Sequence, residues 1–124
     1  MPVPSITRVL SCALLPVLAG CASLTSSTTI EPGKAFRLGD GEHGAFVVRG
    51  TNTGPVDVVV YAEVRGRRDS VTTLAPGAPV DARFPKSAVA IFKNMSTNQS
   101  ATVAIKVTGD VGGLGMTYEA NAKP

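Results

Sequence analysis

A chain of 124 residues, 44% of them hydrophobic, sits within the usual size of one domain and can build one modest core. Its 12 lysines and arginines stand against 9 aspartates and glutamates, and its aromatics are 4 phenylalanines and 2 tyrosines without tryptophan; this excludes the massed basic face and stacking platform of a nucleic-acid binder. Both cysteines, Cys12 and Cys21, fall in the first 21 residues, so everything beyond them lacks a thiol for a disulfide, a metal site or nucleophilic catalysis.

In chain order, residues 1–20 read as a targeting segment. A short polar stretch ends at Arg8, an apolar run extends from Val9 to Leu18, and small residues follow. Ten apolar residues are too few to cross a bilayer, which takes roughly 20 in a helix, but they match the apolar region of a signal peptide. The step Leu18-Ala19-Gly20-Cys21 resembles the lipobox of bacterial lipoproteins: an aliphatic residue, two small residues and a cysteine. The resemblance covers only the first 21 residues. It implies a diacylglycerol thioether on Cys21, cleavage before that residue, and two or three acyl chains. At about 0.8 kcal/mol per buried methylene, that many chains anchor a protein almost permanently. Ala22, where aspartate would favour inner-membrane retention in the enterobacterial families, implies an outer-membrane lipoprotein, expected to face the periplasm or the cell surface.

Residues 21–33 are expected to be the lipidated cysteine and a Ser/Thr-rich tether, with little to bury between Ala22 and Thr29. As flexible chain, eight such residues would span about 15 Å on average and reach roughly 28 Å. The folded domain is then expected over residues 34–124.

In that domain the hydrophobic period is two, and Gly, Pro, Asn and Asp interrupt it every eight to twelve residues, as in short antiparallel strands. The first candidates are Ala35 to Leu38 and Ala45 to Arg49. The clearest is Val56 to Arg65, with Val56, Val58, Val60, Ala62 and Val64 on one face and Asp57, Tyr61, Glu63 and Arg65 on the other. Ser70 to Leu74 follows, then Val80, Ala82 and Phe84, and then Ala88 to Lys93, apolar on both faces as a central strand would be. Ala101 to Thr108 alternates cleanly, and Leu114 to Glu119 closes the series. The fold class is therefore all-β: a small antiparallel β-sandwich, immunoglobulin-like or similar, of about seven or eight short strands.

Three features bear on chemistry. His43, the only histidine, lies in the loop Gly39-Asp40-Gly41-Glu42-His43-Gly44, where a base beside carboxylates invites a catalytic or metal reading. Glycines and acids side by side also suit a plain hairpin loop, and no serine box or second histidine supplies a partner, so no catalytic, cofactor or metal residue is assigned. Arg65, Arg67 and Arg68 form the densest local charge and are the candidate contact for an anionic ligand or partner, beside the simpler reading of a solvated hairpin tip. Asn94-Met95-Ser96 and Asn98-Gln99-Ser100 read as turn chemistry rather than glycosylation sites, and Tyr118, in phase with Leu114 and Met116, is expected in the core with its hydroxyl at the edge.

The function these features imply is that of a non-enzymatic envelope lipoprotein. It would be held on the membrane through Cys21 and act as a binding or accessory module for a protein partner or an envelope polymer. The alternative is a structural or protective lipoprotein without a dedicated ligand, whose sheet edge pairs with a partner strand or with itself. A small hydrolase or metal-dependent enzyme would need polar groups converging on His43.

Overall fold

The computed structural model describes residues 23–42, 44–112 and 114–119. Every regular element among them is a strand: β1 (Ser23–Ile30), β2 (Ala35–Leu38), β3 (Phe46–Gly54), β4 (Val58–Val64), β5 (Arg67–Leu74), β6 (Pro79–Phe84), β7 (Ala88–Asn94), β8 (Ala101–Gly109) and β9 (Met116–Glu119). They form two antiparallel sheets, ordered β1-β8-β3-β6 and β5-β4-β7-β2-β9.

The pairings are nested. β4 pairs with β5, β3 with β6, β2 with β7 and β1 with β8, while β3–β8 and β4–β7 contacts close the two sheets. A long hairpin folded over on itself in this way is a jelly roll, with β9 added beside β2. The expected sandwich therefore forms, with the strand order of a jelly roll rather than that of an immunoglobulin domain.

The expected tether is corrected. Residues 23–30 are β1, paired with β8 along its whole length from Ser23↔Thr108 to Ile30↔Ala101. Leu24, Ser26, Thr28 and Ile30 turn toward the other sheet, with Ile30 fully buried and Ser23, Thr25, Ser27 and Thr29 exposed. The alternation is present in the sequence but is written in serine and threonine. Threonine's branched β-carbon fits a pleated surface as well as valine's does.

Pro32 and Gly33 then make the turn into β2. Lys34 N–H donates to the Glu31 carbonyl at 3.1 Å, and Gly33 takes φ +70°.

Between the sheets, alternate residues of each strand meet. In one sheet Val48 of β3 pairs with Ala82 of β6 on one side and with Val107 of β8 on the other, and Val58, Val60, Ala90 and Phe92 from the other sheet complete the same core. The four phenylalanines form two cross-strand pairs, one per sheet: Phe46 stacks on Phe84 at 5.2 Å and Phe36 tilts against Phe92 at 5.9 Å. At Gly50 a β-carbon would overlap the Ala104 carbonyl oxygen, so the close approach of β3 to β8 there requires glycine.

Two asparagines, both 0% exposed, tie one end of the sandwich together. Asn52 Nδ2 donates to the carbonyls of Val56 and Leu74, each at 2.8 Å, while its Oδ1 accepts the Gly54 N–H. Asn94 repeats the device: Nδ2 donates to Ile30 and Gln99, and Oδ1 accepts the Ser96 N–H. Asn94 is thus a buried clamp within the turn that its Asn-x-Ser step announces.

Tyr118 is corrected as well. It is 43% exposed, and its hydroxyl bridges β9 to the other sheet by accepting the Glu31 N–H at 2.6 Å and donating to the Thr29 carbonyl at 3.2 Å. Alternation alone could not show that β9 lies at an edge, where one face of a strand remains open.

Candidate functional site

The outer face of the five-stranded sheet has an apolar centre, because β7 is apolar on both sides and its neighbours contribute Ala35, Val59 and Tyr61. Ile91 is 0% exposed there although, among the described residues, no third layer of strands covers it. Its cover is made of long charged side chains lying flat, as guanidinium stems do over apolar surface. Glu63 on β4 faces Arg68 on β5 in register, and Arg37 on β2 reaches across β7 to the same carboxylate. Arg37 approaches with both terminal nitrogens, at 3.4 and 3.3 Å, and Arg68 donates from Nη2 at 3.0 Å and Nε at 3.3 Å. Arg68 also lies over the Tyr61 ring, 5.9 Å from its centre. The Arg37 fork, helped by Arg68 and opposed by burial, holds the Glu63 carboxyl below its ordinary range.

A cleft of about 400 Å³ opens beside this triad, at the end of the sandwich where the 39–45, 65–66 and 85–87 connections meet. Arg37, Glu63, Asp40, Glu42, Arg65 and Ser87 line it, and the strand order sets Ser87, just before β7, between the 65–66 hairpin and the 39–42 loop, where a β-carbon at Gly41 would lie 3.7 Å from the Ser87 carbonyl. The loop bearing Asp40 and Glu42 is tied down: Asp40 Oδ1 accepts the Glu42 N–H at 2.9 Å, Gly39 N–H donates to the Gly115 carbonyl at 2.7 Å, and Asp110 Oδ2 accepts the Gly44 N–H at 2.8 Å. The rim is therefore shaped before anything enters it.

Both non-glycine residues with positive φ among the described residues line this cleft, Arg65 at 53° and Ser87 at 68°. Arg65 and Gly66 make a two-residue hairpin loop with positive φ at both positions, where asparagine followed by glycine is favoured. Ser87 occupies the third position of the turn closed by Ala88 N–H to the Pro85 carbonyl, where glycine is favoured. Each departure costs on the order of 1 kcal/mol, and strained residues of this kind collect where a side chain is needed for binding.

The structure separates the three arginines that the sequence groups. Arg65 lies exposed at the hairpin tip, Arg67 is exposed and 3.7 Å from Asp69, and Arg68 is folded back onto Glu63 and Tyr61 with its side chain 15% exposed. Arg67 and Arg68 belong to strand β5, on opposite faces, rather than to a turn. Arg37, Glu63 and Ser87 escaped the sequence reading, since only the strand order shows that residues 26 apart share one ion pair. A charged residue inside an apolar run, such as Arg37 between Phe36 and Leu38, is the signal that could have found them. Cys21 and His43 lie outside the described residues.

The cleft mixes guanidinium and hydroxyl donors with carboxylate acceptors, and among the described residues lining it Val89 is the one with an apolar side chain beyond the glycines. Such a surface suits a polar group carrying both charges, or both hydrogen-bonding senses, better than an acyl chain or an aromatic ring. Comparison with protein-family models, curated proteins and solved structures found no match to this chain.

Proposed function

We propose that this chain is a non-enzymatic envelope lipoprotein, anchored by lipid on Cys21, whose jelly-roll domain acts by binding a polar, charge-bearing group in the cleft between Arg37, Arg65 and the Asp40–Glu42 loop. The observation that carries the reading is the cleft itself: a pre-shaped polar recess whose rim keeps Arg65 and Ser87 where smaller residues would be more stable. The lipobox at residues 18–21 supports the anchor. The expected setting is the outer membrane, with an envelope polymer or protein as the source of the bound group.

The anchor is tested by metabolic labelling with palmitate. Cys21→Ala should abolish label and leave unprocessed precursor, and continued labelling would remove the anchor from the proposal. The cleft is tested by placing a photo-crosslinking residue at Glu42 or, as a control on the outer face of the other sheet, at Lys106. Adducts in intact envelopes should form at 42 in excess of 106, and equal yields would count against a site.

A second reading, of a structural lipoprotein whose edge pairs with another strand, has one observation in its favour. β1 is an edge strand of eight residues without proline or charge. Full antiparallel self-pairing would set the two Ser23 ends about 24 Å apart, which two anchors in one leaflet would resist. Sedimentation of the mature protein tests this, and a stable dimer lost on Thr25→Lys would favour it.

A further inference from the structure

The strand register fixes which end of the sandwich the anchor lies at. Ser23 opens β1 opposite Thr108, Thr108 lies beside Val47, and Val47 beside Arg83. In the other sheet the corresponding end holds Leu38, Val64 with Arg67, and Ala88. The connections 39–45, 65–66, 85–87 and 110–115 therefore share the end from which the chain runs back to Cys21, while Asn52, Asn94 and the 95–100 loop occupy the opposite end. Two peptide units separate Ser23 from Cys21, a span of at most about 7 Å.

We infer that this end stands on the bilayer and that its cleft and rim dock onto phospholipid headgroups carrying a phosphate and a primary ammonium. The inference rests on the lipid anchor proposed above and takes the membrane itself, in place of a polymer or protein, as the source of the cleft's ligand.

Without a tether the domain has no slack to turn its loops away from the surface. The end it presents is complementary to such headgroups. Arg65 and Lys86 are exposed, and neither enters an ion pair among the described residues, so both can meet phosphates. The exposed carboxylates of Asp40 and Glu42, across the cleft from Arg65, can accept from ammonium groups. Cations and carboxylates distributed over these three loops match a zwitterionic lattice better than a uniformly anionic one, against which the carboxylates would be repelled. The nine-residue β8 then places the far loops about 30 Å above the headgroups.

The experiment uses the full lipidated protein in vesicles of equimolar phosphatidylethanolamine and phosphatidylcholine doped with a headgroup-nitroxide lipid. The mature chain has no cysteine besides Cys21, so a fluorophore can be placed through Gly112→Cys at the anchored end or Thr97→Cys at the far end. A side chain at 112 meets nothing within 4 Å. The probe at 112 should be quenched several-fold more than the probe at 97, and adding Arg65→Ala with Lys86→Ala should bring the two closer. Equal quenching at both positions, in protein that co-floats with the vesicles, overturns the docking alone. Quenching at 112 that is indifferent to the double substitution overturns the headgroup contact. Protein that carries no palmitate and does not float overturns the anchor, and this inference with it.

Discussion

Arg37 and Glu63 are not register partners, yet the guanidinium spans β7 to grip the carboxylate with both terminal nitrogens, and Val89 and Ile91 lie buried in the strand beneath. This ion pair thus helps to cover the apolar centre of the sheet face and lines the cleft. The relationship joins stability to the site.

Glu63→Gln should lower stability by about 1–2 kcal/mol, the partial exposure of the triad keeping the loss below that of a fully buried pair. Because the folded carboxyl sits below its ordinary value of 4.5, its contribution is fully present above that pH and is lost as the pH falls through the lowered value. Urea midpoints of the two proteins should differ by a constant amount at neutral pH and converge in acid. A gap that persists unchanged in acid would mean the carboxylate's charge is irrelevant.

Asn94→Ala should cost about 2–3 kcal/mol, since it strands the buried Ile30 carbonyl together with the partly buried Gln99 carbonyl and Ser96 N–H. Asn94→Asp keeps the acceptor but loses both donors and should fall well short of rescue. Thermal unfolding of the pair against the wild type checks this, and full rescue by aspartate would show that the donors do not matter.

A chain starting at Glu31 tests the first strand directly. A tether could be removed without effect, whereas loss of β1 uncovers the β8 edge and the buried Ile30 site, so the shortened protein should aggregate or lose its cooperative transition.

Arg65→Asn should raise stability by about 0.5–1 kcal/mol, because asparagine accepts positive φ at the first position of this hairpin loop. The same variant should crosslink less through position 42 in envelopes. A gain in stability with unchanged crosslinking would detach Arg65 from the site.

Most of the sandwich is legible as period-two apolar residues, and β4, β6 and β8 appear in the sequence nearly as they fold. β1 was not, because its inward residues Ser26 and Thr28 are polar and satisfy each other through a 2.7 Å hydroxyl contact. β5 begins three residues before its expected start, since charged residues suit an edge strand as well as a turn. The cleft was legible only in pieces. Arg65 and the 39–44 loop stand out locally, but Arg37, Glu63 and Ser87 come together through strand order, which alternation does not encode.

The nested pairing also sets an order of assembly. The β4–β5 hairpin closes over two residues, whereas Thr29 and Thr102, in contact on the finished surface, are 73 residues apart. The first strand must therefore wait for nearly the whole chain before it finds its partner. Such long-range closures are slow and leave edges open while they wait. A protein fastened at Cys21 would complete its fold already tethered, its last strand zipping up at the membrane surface.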